Sequence, residues 1–250
     1  MANIIRCKLP DGIHRFKPFT VADYRDFLLV RNDMLNKPDQ EQYEIIDELT
    51  QDYFEALPES WRHYAFLNVF TGSIGKTKIP IVYQCPTCGK NHKRIFNIEQ
   101  QPLTNPVLEV NEDTQIKFKF PEKIDTDLNS LVLNNINTVV YEGTEYNWDD
   151  LDPATQSNII DSVDFKQFES LIKTLKPIHF SLNLTCCETR KMVYDDLKSI
   201  FMLLINPDEV FTFYEINHIL SKNKYSISDI MSMIPIERSI ALSLIEKDSK

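Results

Sequence analysis

Cys85-Pro86-Thr87-Cys88-Gly89-Lys90 is the stretch on which the fold turns. A Cys-X-X-Cys followed by glycine makes a tight turn. The glycine supplies the positive φ, and the backbone N–H groups of the turn point at the two sulfurs. Before it, Lys78-Ile79-Pro80-Ile81-Val82-Tyr83-Gln84 reads as a strand; after it, the run from His92 to Ile98 reads as the return strand. The cysteine turn is therefore the tip of a hairpin. A redox Cys-X-X-Cys normally opens a helix, which depresses the thiol pKa, and the strand after Gly89 argues against that use.

Working outward, the β signal continues. Val107 to Val110 and Gln115 to Phe120 predict a hairpin, the latter alternating Ile116, Phe118 and Phe120 with lysines. Val139 to Trp148 predicts another around Glu142-Gly143. Phe180 to Thr185 and Arg190 to Tyr194 predict a pair of strands on either side of Cys186-Cys187. Helical patterns interrupt at 154–162 and 165–175. On the N-terminal side, one strand (Ile4 to Leu9) closes at Pro10-Asp11-Gly12. A helix capped by Thr20 then follows, with Tyr24, Phe27, Leu28 and Leu29 as its buried face. Pro38-Asp39 and Pro58-Glu59-Ser60 open two more helices, and the character of the chain changes at Gly72. On the C-terminal side, 197–205, 210–220, 226–233 and 235–246 are helical, with Asn206-Pro207-Asp208 as a stop. The expected fold is α+β, with N- and C-terminal helical regions flanking a small antiparallel β insert. The divisions are 1–71, 72–195 (which holds both cysteine pairs) and 196–250, forming one compact unit.

Two thiols on one knuckle are half of a tetrahedral structural zinc site. Cys186 and Cys187, at a second hairpin end about 100 residues on, are the other half. Four thiolates from Cys85, Cys88, Cys186 and Cys187 would clamp the hairpins around Zn2+, with His92 or His179 as substitute ligands. Neighbouring side chains on an extended strand point to opposite faces, so Cys186 and Cys187 reach one metal only if the chain turns sharply there. The other reading makes these thiols small buried core residues. Cys7 stands apart from both pairs.

With 37 acidic against 27 basic residues the formal net charge is −10, which excludes a general nucleic-acid binder. Five glycines are too few for a glycine-rich dinucleotide fold. No apolar run is long enough for a membrane span or a secretory signal, so a reducing cytoplasm is the expected setting. Gly75-Lys76-Thr77 ends like a phosphate-binding loop, but the glycine needed five positions before Gly75 is Phe70, and a strand follows where a helix is required. No nucleophile elbow or zinc-protease motif is present. His14, His63 and His218 read as structural, His218 as a core residue. Asp149-Asp150 and Asp195-Asp196 read as helix caps. The chain is expected not to be an enzyme.

Three stretches carry a family resemblance: Met1-Ala2-Asn3-Ile4-Ile5-Arg6-Cys7-Lys8-Leu9-Pro10-Asp11-Gly12, then Gly72-Ser73-Ile74-Gly75-Lys76-Thr77-Lys78-Ile79-Pro80, and Ser232-Met233-Ile234-Pro235-Ile236-Glu237-Arg238-Ser239. With the cysteine hairpin, they resemble the baseplate hub assembly proteins of T4-like bacteriophages along the whole chain. The resemblance implies a role in building the central hub of a contractile-tail baseplate, with hub proteins as partners and no membrane. Two forms of that role are open. An assembly factor would act in the host cytoplasm, bind hub subunits as a chaperone does and be absent from the virion; a minor hub subunit would stay. In the tail, Pro235 suits the first turn of the last helix and Glu237 lies near its positive end. Arg238 and Glu237 are read either as helix packing or as a docking face for a hub subunit.

Overall fold

Thr20 and Asp23 close a capping box at the start of α1 (Val21–Asp33). The Asp23 N–H donates to the Thr20 hydroxyl at 3.2 Å, and the Thr20 N–H donates to the Asp23 carboxylate at 2.6 Å. The computed structural model describes residues 4–248; Met1, Ala2 and Asn3 of the N-terminal motif lie outside the described residues. Two helices follow α1, α2 (Asp39–Phe54) and α3 (Glu59–Ile74). Along α3 apolar side chains occur on every face, and the helix is correspondingly central. Its polar side chains are satisfied internally. Trp61 Nε1 donates to the Pro121 carbonyl at 3.0 Å, His63 meets Asp47 at 3.2 Å, and Ser73 Oγ accepts from the Phe19 N–H at 2.8 Å.

β1 (Ile5–Leu9) pairs antiparallel with β2 (Gly12–Phe16). The cysteine hairpin is β3 (Lys78–Gln84) with β4 (Asn91–Asn97). Next comes a four-stranded antiparallel sheet, β5 (Val107–Glu109), β6 (Thr114–Phe118), β7 (Ile136–Tyr141) and β8 (Thr144–Asn147), in that spatial order. It carries α4 (Leu128–Leu133), α5 (Pro153–Asp161) and α6 (Phe165–Leu175). A last hairpin, β9 (Phe180–Thr185) with β10 (Thr189–Tyr194), leads to α7 (Leu197–Leu204), α8 (Glu209–Lys222), α9 (Ile227–Ser232) and α10 (Pro235–Asp248). The mixture of helices and small antiparallel sheets is the class the sequence predicted.

Buried side chains gather into two clusters among the described residues. The larger joins α1–α3 and α7–α10 with β1 and both cysteine hairpins, through Phe27, Phe66, Phe96, Ile178, Phe201 and Leu220 among others. The smaller lies within the four-stranded sheet and its helices, built on Ile116, Phe118, Leu131, Trp148, Leu171 and Leu175. Segment 72–195 thus contributes to both.

Several expectations need correction. The helix does not end at Gly72 but at Gly75, which sits at φ 69° and donates its N–H to the Thr71 carbonyl at 3.0 Å. Leu29 is 46% exposed, because the apolar run on α1 is wider than the face its neighbours cover. His218 is exposed rather than core. Asp150 accepts from Asn147 Nδ2, and it is Asp152 that caps α5. β2 and α4 lie outside the predicted elements: β2 lacks a clear alternation and is held by its partner strand, and α4 is only six residues long, although Leu128, Leu131 and Val132 have helical spacing.

The three stretches that carry the family resemblance converge on the end of α3. Ile5 lies where a β-carbon on Gly72 would be, at 2.7 Å, and Ile236 lies where one on Gly75 would be. The tail also holds the start of α1, through the Val21 N–H donating to the Met233 carbonyl at 2.7 Å. These motifs are a packing node.

Candidate metal centre

The β3–β4 turn is closed by the Gly89 N–H donating to the Cys85 carbonyl (2.8 Å) and by the Cys85 N–H donating to the Lys90 carbonyl (2.9 Å). Gly89 takes φ 69°, as its place after the second cysteine requires. In the second hairpin Thr185 pairs with Thr189, so Cys186, Cys187 and Glu188 form the turn itself. The Cys186 N–H donates to the Glu188 carbonyl at 3.2 Å. Cys186 and Cys187 are therefore not on extended backbone, and the alternation that would have separated them does not apply.

The two tips meet. The sulfurs of Cys85, Cys88, Cys186 and Cys187 all lie within 4.8 Å of one another. Cys88 Sγ and Cys186 Sγ are 3.5 Å apart, Cys186 Sγ and Cys187 Sγ 4.0 Å. A tetrahedron of thiolates around a metal at about 2.3 Å has sulfur–sulfur edges of about 3.8 Å. The donor set fits a four-coordinate, soft-ligand metal ion. His92 is not a fifth corner of this group; its Nε2 lies 3.0 Å from Cys186 Sγ, in the position of an outer partner that orients a ligand. His179 is engaged elsewhere, with Nδ1 2.5 Å from Asp195.

Side chains outside the turns hold the hairpins in register. The Tyr83 hydroxyl donates to the Thr185 carbonyl at 2.9 Å, and Arg94 Nη2 donates to the same oxygen at 3.3 Å. Tyr83 stacks on His92, and Phe96 packs against Phe180 and Tyr194.

The thiols are electrostatically unequal. The backbone N–H of Cys88 pulls the Cys85 thiol down to about 6 against the opposing effect of desolvation, with help from the N–H groups of Cys187 and Thr87. Hydrogen bonding to Cys88 raises Cys186, and the same neighbour with Cys186 pushes Cys187 up to about 12. Four sulfurs this close cannot all ionise without a cation among them. Cys7 has no part in this. It is buried in β1, and desolvation pushes its thiol up to about 11, as for an inert core thiol.

The proposed docking residues lie elsewhere. Arg238 is 8% exposed; its Nη1 donates to Asn217 Oδ1 at 3.2 Å, and its guanidinium lies over the Phe213 ring. Glu237 accepts from the Ile234 N–H at 3.1 Å, closing the first turn of α10. Gly75-Lys76-Thr77 follows the C-terminal end of α3, where carbonyls rather than N–H groups face out, the wrong pole for phosphate. The residue that sequence reasoning missed is Arg31, which is buried at the end of α1. An isolated arginine in a helical pattern reads as solvated, so nothing in the sequence marks it.

Two family models cover the chain. The model described as T4 bacteriophage base plate protein matches residues 1–202, and that described as baseplate hub assembly protein Gp51 C-terminal domain matches residues 204–250. No curated protein and no solved structure gives a match.

Proposed function

The chain belongs to the T4 bacteriophage base plate protein family, with a baseplate hub assembly domain at its C-terminal end, and from that premise we propose that it is a non-enzymatic assembly factor that binds hub proteins and leaves before the particle is complete. The role in baseplate hub assembly follows from the family. Among the described residues no helix is long and apolar enough to cross a membrane.

The observation that carries the protein-binding form of the role is the surface of the C-terminal segment. Phe211 on α8 is 77% exposed, and Tyr214, Ile240 and Leu244 on α8 and α10 are also exposed. Aromatic side chains supply much of the energy of protein interfaces. The cysteine cluster has a structural part in this reading: Zn2+ held by Cys85, Cys88, Cys186 and Cys187 would staple two hairpins that are far apart in sequence.

The test is capture from phage-infected cells. The tagged chain is expected to bring down hub proteins, identified by mass spectrometry, while purified mature particles lack it. Particles that retain the chain at a fixed stoichiometry would make it a minor hub subunit instead. Capture of no baseplate protein would remove the assembly role.

A further inference from the structure

Between α1, α3, β3, α7 and α10 lies a cavity of about 620 Å³. It straddles the seam between the two matched segments, with Arg31 and Phe70 on one side and Glu209 and Arg238 on the other. Three cations, Arg31, Lys76 and Arg238, line it against one carboxylate, Glu209. This local excess of positive charge occurs in a chain of net charge −10. Glu209 is already engaged, accepting from the Tyr24 hydroxyl at 2.9 Å. Arg238 is held by Asn217 and Phe213.

Arg31 is different. It is 9% exposed, and neither its Nε nor its Nη1 finds an acceptor among the described residues. Burial alone lowers its pKa below the usual arginine value, with no carboxylate offsetting it. Its place in the last turn of α1 suits a positive charge, but the helix end does not supply the missing acceptors. Buried donors without partners are rare in native proteins, and a guanidinium is matched best by an oxyanion.

We propose that this cavity receives an acidic side chain of a protein partner: Arg31 Nε and Nη1 are closed off from the cavity in this structure, and a change of the Arg31 rotamer brings them to the incoming carboxylate while Lys76 stands at the exposed rim. The walls select a peptide over a small hydrated anion. Phe70, Ile74, Met202 and Leu203 line the same cavity and suit an apolar stem or neighbour of the acid. The inference rests on the hub assembly reading and gives the chemistry by which the partner is recognised.

The test follows the Arg31 Nε–H resonance of the full chain. The probes are a blocked pentapeptide with two glutamates among leucine and phenylalanine, its glutamine counterpart, and inorganic phosphate. The glutamate peptide is expected to shift the signal and the glutamine peptide to leave it. Arg31→Met is expected to weaken peptide binding about tenfold or more, without lowering the melting temperature, because it removes an unpaired buried charge. A lowered melting temperature with unchanged peptide binding makes Arg31 a structural residue and overturns the proposal. So does a signal moved by phosphate alone, or by neither probe. Should Arg31→Met fail to fold, Lys76→Gln at the rim is expected to fold and to bind the peptide several-fold more weakly; unchanged binding overturns the proposal. Equal capture of hub proteins by wild type and Arg31→Met removes this inference and leaves the assembly role. Peptide binding without any hub capture does the reverse.

Discussion

Gly75 sits at φ 69°, and Ile236 of α10 occupies the space that a β-carbon there would need. Gly75→Ala is expected to cost about 1–2 kcal/mol from the left-handed backbone alone, with the steric conflict added. Urea denaturation gives the value. Because Ile236 fills that space, the double variant Gly75→Ala, Ile236→Ala is expected to cost less than the two single changes summed. Asp195 makes a second prediction at this scale. Burial raises its pKa, but Lys176 Nζ and His179 Nδ1, each 2.5 Å from the carboxylate, outweigh that, and it lies below the usual aspartate range. A carboxyl whose pKa is depressed on folding stabilises the fold above its unfolded value, about 3.9. That contribution is lost as pH falls through 3.9 toward the folded value. Asp195→Asn is therefore expected to flatten the acid limb of stability against pH below about pH 5, leaving neutral pH less stable than in wild type. An acid limb of unchanged slope would count against the Lys176–Asp195–His179 arrangement. The local pattern marks both positions but for other roles: Gly75 belongs to the phosphate-loop-like motif, and Asp195 reads with Asp196 as a helix cap, whereas Asp196 alone caps α7. Gly75 could be seen as a helix end only if α3 were known to run past Gly72, and the partners of Asp195 lie 19 and 16 residues before it.

At the scale of elements, the hairpins are where the sequence was most legible. The strand from Lys78 to Gln84 and the segment from Phe180 to Thr185 have the predicted bounds, because alternation and a tight turn are local properties. Whether the two tips meet was not local. Cys186 and Cys187 reach the same place because they form the turn of a hairpin, and the register Thr185 to Thr189 that puts them there is set by pairing along the whole hairpin. If the cluster holds zinc, the purified chain is expected to carry about one metal ion per molecule by elemental analysis. Cys85→Ser and Cys187→Ser should each lose it, whereas Cys7→Ser should keep it. Chelation is expected to lower the melting temperature of wild type and to leave that of Cys85→Ser unchanged. A wild-type protein that carries no metal and ignores the chelator would reduce the four sulfurs to a cluster of free thiols. Arg238 illustrates the opposite limit of legibility. Its spacing on α10 suggested either packing or docking, and only the proximity of Asn217 and Phe213 on α8 places it in the interior.

For the whole molecule, the arrangement of two apolar clusters has a consequence that the chain's two tryptophans can report. Trp61 belongs to the cluster built by the first and last helices, and Trp148 to the one inside the four-stranded sheet. Leu175 is fully buried in the second. Leu175→Ala is expected to cost about 2–5 kcal/mol. In variants that keep one tryptophan each, the Trp148 transition should shift to lower denaturant by more than the Trp61 transition. Equal shifts would mean that the clusters unfold as one. Ile5, Gly72, Gly75 and Ile236, drawn from the three separate stretches that carry the resemblance, meet at one node that joins the two matched segments. The sequence by itself determined the class of fold, the position of most helices and strands, the absence of a glycine-rich nucleotide loop and the family. Those depend on hydrophobic period, turn residues and motifs, which are read within a few residues. Tertiary structure alone decided between one shared site and separate core thiols for the four cysteines, that Arg238 is buried, and that Arg31 lines a cavity with no acceptor for its Nε and Nη1 among the described residues. Each of these depends on groups brought together from distant parts of the chain by burial of a common core, and no local pattern records that.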